Sequence, residues 1–145
     1  MEWKHEHSIG IQEIDDQHRK LIEIISRIER AIKLQRGWRE IIYDIVDLRV
    51  FARSHFEFEE GLMRMYGYKE YQKHADDHKY FFKRLAEIES KSTYDLAESE
   101  ILKFLRDWLK EHILVEDKDY AELILSDAPV VKSFAPALTV VRSAD

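Results

Sequence analysis

The chain has no cysteine, and only two prolines and four glycines among its 145 residues. Without cysteine, thiolate metal sites, iron–sulfur clusters and thiol redox chemistry are excluded. Scarce proline and glycine favour long helices, because these residues are the usual helix breakers. A chain of this length is expected to form one domain that buries about two-thirds of its unfolded surface, so it needs no disulfide support.

Signals for membranes and nucleic acid are also absent. No apolar run approaches the ~18 residues of a membrane helix, and the first ten residues lack the apolar segment of a secretory signal. The chain has 29 acidic and 23 basic residues, a net charge of −6. This argues against a nucleic-acid partner, because phosphate binding requires a basic surface. We therefore expect a soluble, cytoplasmic protein without membrane insertion.

Four stretches carry apolar residues at alternating steps of four and three, which is the pattern of helices in a bundle. They are residues 11–36, 38–66, 69–90 and 94–125. Gly37 and Gly67 are predicted to end the first two helices, and Thr93 is predicted to cap the fourth. Because the connections are short, we predict an all-α, up-down-up-down antiparallel four-helix bundle. Residues 1–125 form the predicted domain with an N-terminal arm, and 126–145, which hold both prolines, form a C-terminal tail.

Seven polar residues occupy positions in these stripes where apolar residues are expected. They are His18, His55, Glu59, His74, His78, His112 and Asp117. Antiparallel threading brings early positions of the first and third helices level with late positions of the second and fourth, so all seven should meet. Taken singly, each is more often a satisfied core histidine or a solvated charge. Together, unpartnered, they would cost about 1–3 kcal/mol each, which favours a metal site.

The fourth helix poses a problem of phase. His112 and Asp117 are five residues apart, which places them roughly 140° apart on an ideal helix. A one-residue π-bulge between them would bring both to one face, and such bulges collect at functional sites. The alternative ligand is Glu116, which stands at the ideal i+4 spacing from His112. The spacing alone leaves both readings open.

The number and type of ligands indicate two metal ions. A structural zinc site needs only four ligands, whereas seven nitrogen and oxygen donors suit two ions bridged by carboxylates, most simply iron. Ferritin-like bundles use Glu-x-x-His pairs on their helices. Here the only such pair is Glu2 and His5, which lies in the arm, predicted to be extended and at the surface.

These motifs together resemble the hemerythrin family in its bacterial form. The resemblance covers about residues 3–125 and rests on four segments: 14–18 (IDDQH), 55–60 (HFEFEE), 74–78 (HADDH) and 108–117 (WLKEHILVED). It implies that one iron is held by His74, His78 and His112, and the other by His18 and His55. It further implies that Glu59 and Asp117 bridge both irons together with an oxo or hydroxo group, which favours Asp117 over Glu116.

The resemblance also implies reversible dioxygen binding at the open position of the two-histidine iron, for oxygen storage, delivery or buffering, without enzymatic turnover. We expect Ile113, next to His112, to line the oxygen pocket. One alternative is a sensor of oxygen or iron, whose separate signalling partner would bind through the tail. Another is a di-iron enzyme acting on peroxide or nitric oxide. The expected partners are dioxygen and a protein that receives it.

Overall fold

The computed structural model describes residues 1–91 and 94–126, without the side chains of 94–97. The predicted cap Thr93 and the tail from residue 127 onward lie outside the described residues. The elements are a 3-10 turn (His5–His7), α1 (Gln12–Lys33), α2 (Trp38–Met65), α3 (Tyr71–Glu89), α4 (Tyr94–Glu111), a π-helical turn (His112–Glu116) and α5 (Asp117–Ser126). The described part of the chain contains no strand.

The helices form the predicted antiparallel four-helix bundle. Each helix packs against the next one in the chain, and α4 closes the bundle against α1. The π-helical turn joins α4 directly to α5, so the two form one continuous rod. The fold class expected from the sequence is confirmed.

The helix ends follow the predicted signals with one exception. Gly67 follows α2 with a φ of 64°, a left-handed conformation that glycine adopts without strain. Helix α1 ends at Lys33, before the predicted stop at Gly37. There Gln35 takes the left-handed conformation, with a φ of 50°, and the amide of Arg36 donates to the carbonyl of Ala31. The chain therefore turns before it reaches the glycine.

The core consists of two apolar clusters with a polar layer between them. The long apolar cluster fills most of the bundle and includes Leu21, Phe56 and Leu85. The end apolar cluster closes the other end; its buried residues are Ile9, Ile11, Ile14, Leu62, Met63, Tyr120, Ala121 and Ile124. Along α1, Ile14 belongs to the end cluster and Leu21 to the long cluster, so His18 stands between the two.

The N-terminal arm packs onto the bundle. It is extended at Lys4 and Ser8, as expected, but a single 3-10 turn over His5–His7 interrupts it. Its amino group lies 2.6 Å from a carboxylate oxygen of Glu29, which also pairs with Lys33 and Arg106. Glu2 and His5 are exposed, as predicted. Among the described helices, none is long and apolar enough to cross a membrane.

Candidate metal centre

All seven predicted site residues lie in the polar layer. Each is at most 4% exposed. Helices α1, α2 and α3 contribute five of them, and the rod formed by α4, the π-helical turn and α5 contributes His112 and Asp117. Their side chains converge because the early turns of α1 and α3 are level with the late turns of α2 and of that rod.

The π-helical turn brings Asp117 into the layer. It spans His112–Glu116, the position where the phase of the sequence required an extra residue. As a result, Asp117 is fully buried, whereas Glu116 is partly exposed and faces Nδ1 of His112 at 3.6 Å. The predicted π-bulge is confirmed, and Glu116 lies on the outer side of the histidine.

Glu59 lies between two groups of histidines, with one oxygen toward each. Its Oε1 is 3.4 Å from Nε2 of His55 and 3.7 Å from Nε2 of His18. Its Oε2 is 3.3 Å from Nε2 of His78, 3.4 Å from that of His112 and 3.9 Å from that of His74. The carboxylate therefore faces two imidazoles on one side and three on the other.

Asp117 repeats this arrangement from the opposite direction. Its Oδ2 lies 3.0 Å from Nε2 of His18, and its Oδ1 lies 3.2 Å from Nε2 of His74 and 3.4 Å from Nε2 of His112. Two clusters of ligand atoms result, each with its atoms within 4.8 Å of one another: Glu59, His74, His78 and His112 in one, and His18, His55, Glu59 and Asp117 in the other. Glu59 belongs to both clusters, and the two oxygens of Asp117 face histidines of both. This arrangement suits two neighbouring cations.

The inward-facing atoms of the layer fit metal ions because they have no other partner. Among the described residues, none forms a hydrogen bond with Nε2 of any of the five histidines, with Oε2 of Glu59 or with either carboxylate oxygen of Asp117. Buried polar groups are almost always hydrogen-bonded. Imidazole nitrogens and carboxylate oxygens are ligands of iron and other divalent transition metals. Bound cations would satisfy all of these atoms at once.

Electrostatics keeps the two carboxylates ionised. Burial alone would raise the pKa of Glu59, but the surrounding histidines lower it well below its ordinary value. The pKa of Asp117 is lowered in the same way, against burial and the charge of Glu59. Burial lowers the pKa of His55 to about 3, so this imidazole is neutral and available as a ligand. Although burial opposes it, Asp117 and Glu59 raise the pKa of His18 and, to about 10, that of His112. Bound cations would replace the protons that balance the two carboxylates in the layer.

Two histidines are oriented by partners on the outer side of the layer. Nδ1 of His55 lies 2.8 Å from the amide oxygen of Gln17, and Nδ1 of His78 lies 2.9 Å from the carboxylate of Glu60. An acceptor at Nδ1 places the proton there and leaves Nε2 free to bind a metal. These two residues therefore select the tautomer that the site requires.

His112 has acidic neighbours on its outer side. Its Nδ1 lies 3.6 Å from Glu116 and 3.8 Å from Asp77, and Asp77 accepts a hydrogen bond from the indole of Trp108 at 3.0 Å. Burial and the charge of Glu116 raise the pKa of Asp77, while the neighbouring imidazole of His112 lowers the pKa of Glu116. Trp108 also stacks on the imidazole of His112, with ring centroids 4.2 Å apart.

The sequence predicted no such orienting role for these outer partners, and it offered Glu116 only as an alternative ligand, although a signal was present. Each is the immediate sequence neighbour of a residue in the layer: Gln17 precedes His18, Glu60 follows Glu59, Asp77 precedes His78 and Glu116 precedes Asp117. Adjacent helical residues point about 100° apart, so such a neighbour faces the adjoining helix while the layer residue faces inward. Gln17 thus reaches from α1 to α2, and Glu60 from α2 to α3.

Tyr120 is a further side chain in contact with the layer, and the sequence motifs gave it no role. Its hydroxyl donates a hydrogen bond of 2.6 Å to Oε1 of Glu59. Burial, and then the charges of Glu59 and Asp117, raise the pKa of Tyr120 well above its ordinary value, so the hydroxyl keeps its proton. Oε1 of Glu59, which faces His18 and His55, therefore also accepts a hydrogen bond from the hydroxyl of Tyr120.

Comparisons with known proteins agree with this site. The family profile described as "Hemerythrin HHE cation binding domain" matches residues 9–124. A bacteriohemerythrin of Clostridium acetobutylicum is 35% identical over 126 residues, covering 83% of this chain and 98% of the relative. One from Stenotrophomonas maltophilia is 36% identical over 126 residues, covering 84% and 80%. One from Methylococcus capsulatus is 28% identical over 111 residues, covering 73% and 82%. The chain that carries this buried layer of histidines and carboxylates therefore belongs to the hemerythrin family.

Proposed function

We propose that this protein binds dioxygen reversibly at a carboxylate-bridged pair of non-haem iron ions, for oxygen storage, delivery or buffering rather than for enzymatic turnover. The observation that carries the proposal is the unequal division of the layer. Two ionised carboxylates face three imidazoles on one side and two on the other. The names of the related bacteriohemerythrins support the same family role.

The proposed ligands follow from which oxygen faces which histidine. His74, His78 and His112 would hold one iron, and His18 and His55 the other. Glu59 and Asp117 would bridge the two, with an oxo or hydroxo group completing the bridge. An iron on the side of His18 and His55 would have one protein ligand fewer, which would leave room for a small ligand there.

A pair of ferrous ions held by these residues would supply the electrons for reversible dioxygen binding. The protein contributes the surroundings. Apolar clusters lie on both sides of the layer, and they limit the access of water and protons, which would promote irreversible oxidation. Ile113 belongs to the long apolar cluster and is 1% exposed beside His112. We propose that it lines the oxygen pocket.

The test of this function is the iron content of the purified protein, with optical spectra recorded in the reduced state, after oxygenation and after removal of oxygen. We expect two irons per chain and a visible band that appears with oxygen and disappears without it. Two irons with one-way oxidation would contradict reversible binding and favour the enzyme or sensor alternative. A protein without iron would contradict the proposal entirely.

The role of Ile113 is tested by comparing Ile113→Glu with the volume-conserving control Ile113→Leu. A carboxyl group in the apolar wall brings water and protons to the site. We therefore expect Ile113→Glu to accelerate autoxidation or block oxygen binding, while Ile113→Leu stays close to the wild type. Oxygen affinity and autoxidation rates measured by absorbance decide between these outcomes. Unchanged values in Ile113→Glu would remove Ile113 from the pocket.

A further inference from the structure

The two sides of the polar layer differ in the charge of the side chains that lie near Nδ1 of their histidines, on the outer side of the layer. On the three-histidine side, the carboxylate of Glu60 lies 2.9 Å from Nδ1 of His78. The carboxylates of Glu116 and Asp77 lie 3.6 and 3.8 Å from Nδ1 of His112. Three acidic side chains therefore stand directly behind this side.

The two-histidine side has no such anion among the described residues. Nδ1 of His55 faces the neutral amide oxygen of Gln17 at 2.8 Å, and Nδ1 of His18 has no hydrogen-bond partner in the described part of the chain. The hydrogen bond from Tyr120 falls on the Glu59 oxygen of this same side. That oxygen has less electron density to give to a metal.

These differences change how well each side stabilises a higher metal charge. An imidazole whose N–H donates to a carboxylate becomes a stronger base and a stronger ligand, and the nearby negative charge favours the more positive metal. A neutral amide orients the ring equally well but adds no charge. Glu60 and Gln17 perform the same positioning task on opposite sides, so their charge difference is the simplest variable that distinguishes the sides.

We infer that Glu60 and Gln17 are positioning residues that make the two irons unequal: Glu60 favours ferric iron on its side, and Gln17 keeps the oxygen-binding side ferrous. This inference rests on the proposed function, since it takes the layer to hold two irons. In a one-electron oxidation by ferricyanide, the electron leaves the three-histidine iron, which becomes ferric, and ferricyanide becomes ferrocyanide. No bond to a protein ligand forms or breaks.

The experiment is a redox titration of the iron-loaded full chain under argon, with Mössbauer spectroscopy counting ferrous and ferric iron at each step. It compares the wild type, Glu60→Gln, Gln17→Glu and the double exchange, which conserves net charge. Each substitution retains an oxygen acceptor for its histidine. We expect Glu60→Gln to raise the lower midpoint potential and Gln17→Glu to lower the higher one. The expected size is a tenfold change in ferric-to-ferrous preference, about 59 mV per one-electron step.

Glu57→Gln is the matched control, because it removes the same charge from an exposed position on α2. Solvent screening should leave both potentials close to the wild-type values. Damage to the fold would move the potentials of Glu60→Gln and Gln17→Glu in the same direction, whereas the inference requires opposite directions. The double exchange should show the narrowest gap between the two steps.

The outcomes separate this inference from the proposed function. Two irons with potentials that do not move in Gln17→Glu and Glu60→Gln would overturn the inference and leave oxygen binding untouched. Potentials that move as expected without reversible oxygen binding would support the inference and contradict the function. Fewer than two irons in the wild type would overturn both. If Glu60→Gln loses iron, Gln17→Glu decides alone.

Discussion

The polar layer and the apolar clusters on either side of it are built from the same helices at the same spacing, yet they are stabilised in different ways. Residues such as Leu48 and Leu85 are fully buried and packed by other apolar side chains. The histidines and carboxylates of the layer are just as buried, but their inward-facing atoms, except Oε1 of Glu59, have no hydrogen-bond partner among the described residues. The apolar clusters therefore stabilise the chain by themselves, whereas we expect the layer to be stabilised by bound cations.

Glu29 shows how this chain pairs a buried carboxylate with cationic groups of its own. It is 8% exposed, and its carboxylate pairs with the terminal amine of Met1, with Lys33 and with Arg106. Glu59 and Asp117 are surrounded by histidines alone, apart from the hydroxyl that Tyr120 offers to Glu59. The difference between these carboxylates marks the layer as a ligand site rather than a structural ion-pair network.

Of the changes that test this difference between the polar layer and the apolar clusters, metal loading should have the largest effect on stability. A ligand that binds only the native state stabilises it by about 4 kcal/mol at a thousand times its dissociation constant. For a chain of this size, this corresponds to a rise of roughly 10–20 °C in melting temperature. Thermal unfolding of the metal-free and iron-loaded protein under argon measures it. Equal melting temperatures would mean that the layer is stable without cations.

The next largest effect on stability is expected from a substitution in the long apolar cluster. Leu85 is fully buried in the long apolar cluster, and truncating such a residue to alanine costs about 2–5 kcal/mol. We expect Leu85→Ala to lower the free energy of unfolding by this amount with and without iron, measured by denaturant unfolding. The increase in unfolding free energy caused by iron should be the same in Leu85→Ala as in the wild type. A smaller increase in the variant would show that the apolar cluster and the polar layer are not independent.

A smaller effect is expected at Glu29, and it depends on pH. The hydrogen bond from the terminal amine, with those from Lys33 and Arg106, lowers the pKa of Glu29 from 4.5 to about 2, although burial opposes this. Because the folded-state pKa is depressed, its stabilisation is present above about pH 4.5 and is lost as the pH falls toward 2.

The measurement is the unfolding free energy of metal-free wild type minus that of Glu29→Gln as a function of pH. We expect a difference of about 1–3 kcal/mol near neutral pH, the usual size for hydrogen bonds to charged groups. It should vanish as the pH falls from 4.5 to 2. The exposed carboxylate of Glu57 supplies the control substitution Glu57→Gln. A difference for Glu29→Gln that is independent of pH would argue against the ion-pair network.

The smallest effect on stability is expected within the layer itself. His55→Leu removes a buried imidazole whose Nε2 has no hydrogen-bond partner among the described residues, together with its Nδ1 contact to Gln17. Replacing the unpaired nitrogen with an apolar group offsets the loss of that one hydrogen bond, which is worth about 1 kcal/mol. We expect the metal-free variant to lie within about 1 kcal/mol of the wild type, yet to lose the stabilisation by iron. A large destabilisation of the metal-free protein would show that His55 also holds the bundle together.

The bundle and the layer could be predicted from sequence because both follow from helical phase. The alternating steps of four and three identified the buried stripes, and the five-residue step from His112 to Asp117 indicated the π-helical turn. The end of α1 could not be predicted, because Gln35 adopts a left-handed conformation that the pattern assigned to a later glycine.

The outer partners were missed for a different physical reason. Gln17 and Glu60 occupy half-exposed positions, where polar residues need no explanation. Their roles depend on which histidine of the adjoining helix they reach, and this requires the packing of α1, α2 and α3 in three dimensions. The arm shows the same limit, since its 3-10 turn and its contact with Glu29 depend on tertiary structure.

The most direct test of the central claim is an anaerobic titration of the metal-free protein with ferrous iron, in which bound iron per chain is determined at saturation. The account predicts saturation at two irons per chain in the wild type, and loss of this stoichiometry in Glu59→Ala, which removes a bridge between the two sides. Saturation at one iron or none in the wild type, or an unchanged stoichiometry in Glu59→Ala, would contradict it.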